Sequence, residues 1–188
     1  LFNPVAAKFQ LKNLNTGGVA DISFSFGPRN KNWIPVAGDW DMDGKSDIGL
    51  YDPVKSRFFL KNGLSGGQAD YTFRYGPSNS GWQPVAGDWN GDGRDTIGLY
   101  SPQAGKFHLK NTLSGGVSDV SIRFGVKGSA WRPVCGDWDG DGSDEIGLYN
   151  PNSGTFFLKK DLSGGQADHS FSFGPKKNAW IPLGGGWE

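Results

Sequence analysis

The chain is nearly without cysteine and has no surplus of either charge. A single thiol, Cys135, among 188 residues rules out an intramolecular disulfide, a CxxC zinc site and any disulfide framework. Some other device must staple the fold. Lys and Arg number 19, as do Asp and Glu, so no basic stripe exists to neutralise phosphates or an anionic membrane face, and nucleic acid is not an expected partner. No apolar run approaches the roughly 18 residues that span a bilayer. The opening LFNPVAAKF carries neither Met nor a signal-like segment. The expectation is a soluble chain, not inserted in a membrane and processed or cropped at its N-terminus. Catalytic signatures are missing too, with no GxSxG, HExxH or P-loop. The two histidines, His108 and His169, fall at non-equivalent positions and read as surface or strand side chains. No enzyme is expected.

What the chain has in quantity is glycine (31 residues), proline (11) and aromatic rings (14%). That many rings is foreign to a disordered chain, and that many turn formers points to short β-strands. The rings are placed with a fixed period. Trp33, Trp82, Trp131 and Trp180 each open a W-x-P-[VL] segment, and they recur every 49 residues without insertion. Leu1, Leu50, Leu99 and Leu148 keep the same step, so four copies of one pattern account for the whole chain.

Within a copy, four runs alternate in β fashion: Trp33 to Gly38, Ile48 to Tyr51, Arg57 to Lys61 and Tyr71 to Tyr75. Turn formers such as Asp52-Pro53, Ser65-Gly66-Gly67 and Gly76-Pro77 bound them, and no window has helical spacing. Four-stranded units at this period are the mark of propeller blades. The predicted fold is all-β, a single domain over 1–188 in which four 49-residue repeats form a four-bladed β-propeller; a linear β-solenoid is the runner-up. The units run over about 33–81, 82–130 and 131–179, with 180–188 plus 1–32 completing the fourth blade. N- and C-terminal strands would then meet in one sheet and close the ring. The last copy has drifted, reading LGGGWE where the others read VAGDWD, VAGDWN and VCGDWD. Cys135 replaces Ala37 or Ala86 in this segment and reads as a small buried hydrophobe.

Between the first and second strands of three units lies a carboxylate-rich loop. Oxygen ligands at loop positions 1, 3 and 5, Gly at 6 and a backbone carbonyl at 7 wrap a hard divalent cation such as Ca²⁺, because alternate residues turn their oxygens inward. Loop one offers Asp39, Asp41, Asp43, the carbonyl of Lys45, and Asp47. Loop two offers Asp88, Asn90, Asp92, the carbonyl of Arg94, and Thr96. Loop three offers Asp137, Asp139, Asp141, the carbonyl of Ser143, and Glu145. Position 12, where an EF-hand needs Glu, holds Leu50, Leu99 or Leu148, so the loop ends at position 9 instead. About three calcium ions are expected, with loop two the weakest unless Asp95 swings in, since only Asp88 and Asp92 are charged at its inward positions. The fourth copy has Gly186 at position 1 and Glu188 at position 3 and is assigned no metal. Polar hairpin turns without an ion are the alternative, Asp-Gly pairs being common turn formers.

The pattern Phe26-Gly27 followed by Val36-Ala37-Gly38-Asp39 through Gly49, with Tyr75-Gly76, Phe124-Gly125 and Phe173-Gly174 ahead of their own units, resembles the FG-GAP/VCBS type of calcium-binding propeller repeat found in integrin-type heads. The resemblance covers all four units. It implies calcium in the hairpins between the first two strands of the blades, and a role in adhesion or ligand recognition, at times as a lectin. Integrin-type heads have seven blades, whereas four units are present here.

All eight Trp occupy two repeat positions. Trp40, Trp89, Trp138 and Trp187 sit inside the loops and suit wedges between blades. Trp33, Trp82, Trp131 and Trp180 follow variable polar segments and suit either packing or platforms for sugar rings. The leading expectation is a non-catalytic extracellular recognition propeller, secreted or at the cell surface, binding glycans or cell-surface ligands. The alternatives are a structural, self-assembling repeat protein in a homo-oligomeric ring or filament, and an accessory domain of a secreted enzyme.

Overall fold

In the computed structural model, residues 1–14, 16–177, 180–182 and 184 are described. Their regular structure is all strand: β1 (Phe2–Asn3), β2 (Lys8–Leu11), β3 (Ile22–Ser25), β4 (Ile34–Gly38), β5 (Asp47–Asp52), β6 (Arg57–Lys61), β7 (Tyr71–Arg74), β8 (Gln83–Gly87), β9 (Thr96–Ser101), β10 (Lys106–Leu109), β11 (Val120–Arg123), β12 (Arg132–Gly136), β13 (Glu145–Asn150), β14 (Thr155–Leu158) and β15 (His169–Ser172). In the three full units the four runs fall on these strands to within a residue or two; in the last copy the first run, Trp180 to Gly185, has no strand at 180–182 or 184, and 183 and 185 lie outside the described residues. No helix among the described residues is long and apolar enough to cross a membrane.

The strands form the sheets β1-β2-β3, β4-β5-β6-β7, β8-β9-β10-β11 and β12-β13-β14-β15, antiparallel throughout. They are arranged as the blades of a four-bladed β-propeller, as the 49-residue period predicts. Trp187, Gly186 and Glu188 of the last copy lie outside the described residues.

Register repeats as faithfully as sequence. Pro35 faces Leu50, Pro84 faces Leu99, and Pro133 faces Leu148. The second strand of each full blade is buried on both faces, because sheets stack face to face and the alternating positions enter different cores. Between the second and third sheets, Val36, Trp40, Tyr51, Phe58, Leu60 and Tyr75 close over Ile97 and Leu99. The next interface repeats this with Val85, Trp89, Tyr100 and Phe107 against Ile146 and Leu148. Phe9 and Phe26 of the first sheet meet Ile48 and Leu50 in the same way. Leu50, Leu99 and Leu148 are wholly buried, each contributing about 1.5–3 kcal/mol relative to exposure.

The outer hairpin of every blade carries a clamp. Lys12 pairs with Asp21 (3.0 Å), Lys61 with Asp70 (3.2 Å), Lys110 with Asp119 (2.9 Å) and Lys159 with Asp168 (2.7 Å). Each Asp also accepts the backbone N–H that follows its Lys, from Asn13, Asn62, Asn111 and Lys160, at 2.8–2.9 Å. That amide bond comes first in holding Asp21, Asp70 and Asp119 below the usual carboxylate range, and the Lys159 ammonium does so for Asp168.

The first strands β4, β8 and β12 line a central channel of about 500 Å³ with Pro182 and Gly184. Cys135 stands on its wall, half-buried, its thiol pushed well above its ordinary pKa by desolvation. It behaves there as a small apolar group.

Candidate metal centre

Each loop joins the innermost strand of its blade to the next and is tied by the carboxylate at position 1. Asp39 accepts the N–H of Asp43 (3.1 Å) and of Gly44 (2.7 Å). Asp88 accepts those of Gly91 (2.8 Å) and Gly93 (2.7 Å), and Asp137 those of Gly140 (2.6 Å) and Gly142 (3.0 Å). The position-5 carboxylates Asp43, Asp92 and Asp141 accept the N–H two residues on, at 2.8–2.9 Å. Position 4 takes a positive φ in all three loops: 69° at Gly91, 79° at Gly140, and 64° at Met42, a side chain in a conformation suited to glycine.

Two groups of side chains converge. Oxygens of Asp137, Asp139, Asp141 and Glu145 lie within 4.8 Å of one another, and so do oxygens of Asp39, Asp41 and Asp43. The span has a simple meaning, because two oxygens each about 2.4 Å from one calcium ion can be at most about 4.8 Å apart. Loop three therefore has room for one ion held by four carboxylates, and loop one for one held by three. Electrostatics point the same way. Glu145 is buried, and desolvation together with facing Asp139, Asp141 and Asp137 pushes its pKa up to about 7, against the help of the Trp138 N–H. A divalent cation would relieve that repulsion.

The position-9 residues differ in reach. Glu145 gives one oxygen to the Trp138 N–H (3.0 Å) and still joins its cluster. Asp47, one methylene shorter, stays outside the loop-one group: its oxygens accept the N–H of Trp40 (3.1 Å) and of Gly63 (2.5 Å), linking the loop to the β6–β7 hairpin. Burial raises its pKa despite both amides. Thr96 donates to the carbonyl of Lys110 (2.6 Å), and Asn90 donates its amide to Asp92 (3.0 Å). Loop two thus brings Asp88 and Asp92 together with neutral neighbours. Lys45 pairs with Asp43 at 3.1 Å and is exposed.

Asp95 does not swing into loop two. It reaches back to the preceding blade, where its carboxylate accepts the Asp39 N–H (2.7 Å) while its own N–H donates to the Asp39 carbonyl (3.0 Å). Asp144 does the same for Asp88, at 2.8 and 2.7 Å. Burial raises both acids, Asp95 to about 6. Position 8 of one loop therefore clasps position 1 of the loop before it. The sequence carries this as Asp at position 8 in loops two and three, against Ser46 in loop one.

Among the loop tryptophans, Trp40 and Trp89 are buried wedges, and the Trp40 indole N–H donates to the Ile48 carbonyl at 3.0 Å. Trp138 is half-buried. Of the strand-opening set, Trp33, Trp82 and Trp131 are half-buried and stack on Phe59, His108 and Phe157, with centroids 4.5–4.8 Å apart. Trp180 is 62% exposed. His108 thus fills a Phe position in a ring stack, and burial lowers its pKa, while His169 is exposed on β15.

No protein-family model matches the chain, and no curated protein matches it.

Proposed function

We propose that this propeller is an extracellular, non-catalytic recognition module of the FG-GAP/VCBS kind, stiffened by calcium and binding carbohydrate. The observation that carries the reading is the convergence of Asp137, Asp139, Asp141 and Glu145 on one ion-sized space, echoed by Asp39, Asp41 and Asp43. Those residues, with the carbonyls of Ser143 and Lys45, would hold the ions. Calcium there supplies fixed positive charge and cross-links the innermost hairpin of a blade, the staple that a chain with one cysteine cannot make from disulfides.

Support for carbohydrate comes from the variable segments beside the stacked tryptophans. Trp33 borders a groove of about 350 Å³ with Asn30, Lys31, Asn32 and Asp52, and Trp131 borders one of about 440 Å³ with Gln166 and Ser170. An aromatic floor with a few hydrogen-bonding neighbours is the usual make-up of a sugar site. Shallow sites repeated around a rigid scaffold gain strength through multivalency. The test is a glycan array probed in millimolar calcium and again in EGTA, alongside calorimetric titration of calcium into the demetallated chain. Binding to a related set of sugars that vanishes on chelation is the expected result. A blank array with a calcium-loaded, folded chain refutes the carbohydrate reading, and absence of calcium heat refutes the metal.

A further inference from the structure

The glycine before position 1 of loops one and two makes room for an acid from the neighbouring blade. A Cβ built on Gly38 would lie 2.8 Å from Cβ of Asp95, and one on Gly87 would lie 2.8 Å from a carboxylate oxygen of Asp144. Asp95 and Asp144 belong to loops two and three, yet each grips the backbone of the loop before its own at two points. The Asp39 N–H donates to Asp95 (2.7 Å) and the Asp39 carbonyl accepts from the Asp95 N–H (3.0 Å). Asp88 is held by Asp144 in the same way, at 2.8 and 2.7 Å.

The residue held is in each case a candidate ligand. Asp39 heads the group it forms with Asp41 and Asp43, and its carboxylate is set by the N–H groups of Asp43 and Gly44. Asp41 and Asp43 are exposed, and three like charges so close tend to spread their loop. Fixing the backbone of the first ligand from outside the loop opposes that spread. Asp95 does not join the acid group itself; it acts through Asp39.

We infer that each of these metal sites is assembled by two blades: Asp95, from the following sheet, is the positioning residue that holds Asp39 for the ion of loop one, and Asp144 holds Asp88 for that of loop two. The inference rests on the calcium reading. An observation apart from loop spacing favours a cation: Glu145, 2% exposed, faces three carboxylates and pairs with no Lys or Arg among the described residues. Hydrogen bonds that orient a ligand from behind set metal affinity by about 10–100-fold.

Calorimetric titration of calcium into the demetallated 188-residue chain tests it, in an Asp139→Ala background that removes an exposed ligand from loop three. The tight event that remains belongs to loop one, and Asp41→Ala should abolish it. Asp95→Ala should weaken it by about 10–100-fold. Asp95→Asn should restore most of the affinity by accepting the same N–H, and Ser46→Ala, at the exposed position 8 of loop one, should change nothing. Circular dichroism in EGTA checks that each variant is folded at the titration temperature. Where Asp95→Ala is not, Asp95→Ser takes its place with the same loss expected, since its hydroxyl ends one atom short of the carboxylate oxygen. A clasp that serves stability alone would lower the melting temperature in EGTA and leave the affinity unmoved, which overturns the inference. So does a loss as large in Asp95→Asn or in Ser46→Ala. A wild-type chain that takes up no calcium overturns the metal reading and this inference with it, whereas an unmoved affinity in a calcium-binding chain overturns the inference alone.

Discussion

Replacing Asp95 with alanine isolates the clasp between blades. The substitution removes the acceptor of the Asp39 N–H, a bond of 2.7 Å to a half-buried carboxylate, and leaves the reciprocal backbone bond in place. A hydrogen bond to a charged group contributes about 1.5–3 kcal/mol. For a chain of this size each kcal/mol moves the melting temperature by about 2–4 °C, so Asp95→Ala should lower it by roughly 3–12 °C. Asp95→Asn keeps an oxygen in the same place without the charge that burial opposes, and should recover most of the loss. Ser46→Ala is the internal control: it occupies position 8 of loop one, is exposed, and should change stability by less than about 0.5 kcal/mol. Thermal unfolding followed by tryptophan fluorescence in EGTA keeps metal out of the comparison. An Asp95→Ala melting temperature within a degree of Ser46→Ala would refute the clasp as a contributor to stability.

Other predictions rest on separate features. At free calcium of about 100 times the dissociation constant, each occupied loop should add about 2.7 kcal/mol, or roughly 5–11 °C in melting temperature; an unchanged curve on adding excess EGTA would sink the metal assignment. Asp137→Ala and Asp39→Ala should each remove more of that increment than Asp88→Ala, as calcium-dependent melting curves of the three variants would show. Met42→Gly should stabilise by about 1 kcal/mol by releasing a side chain from the left-handed region, and a destabilised variant in urea titration would contradict this. Asp21, Asp70, Asp119 and Asp168 have folded pKa values below their unfolded ones. Their contribution is thus complete above about pH 4 and lost as pH falls through the folded values. Asp119→Asn should flatten the acid limb of a stability profile, and an identical limb would count against the clamp.

The fold was legible because its signal is redundant. Trp33, Trp82, Trp131 and Trp180 announce the period, and strand alternation such as that of Arg57–Lys61 can be checked in neighbouring copies. The convergence of acids in loops one and three was legible for a related reason, since their alternation recurs at a fixed spacing. Contacts between copies were not. Whether Asp95 serves its own loop or the one before it depends on the angle at which two sheets meet, which no local pattern encodes. Asp47 and Glu145 occupy the same loop position, yet one methylene decides which of them can bond a backbone amide and still reach the cluster. The Lys–Asp clamps were visible as a Lys and an Asp nine residues apart in every copy. They passed unread because a charge pair on a polar turn has an ordinary explanation in solvation.

The uniformity of the leucine–glycine contacts between consecutive sheets has a genetic corollary. At the three described junctions a leucine meets the glycine 23 residues before it, Leu50 on Gly27, Leu99 on Gly76 and Leu148 on Gly125, and the pair recurs every 49 residues. Duplication or loss of one period, wherever its breakpoints fall, reproduces a junction that already works. Lineages built on this unit can therefore change their number of blades in single steps without passing through an unmatched interface, whereas an insertion of any other length would break two at once.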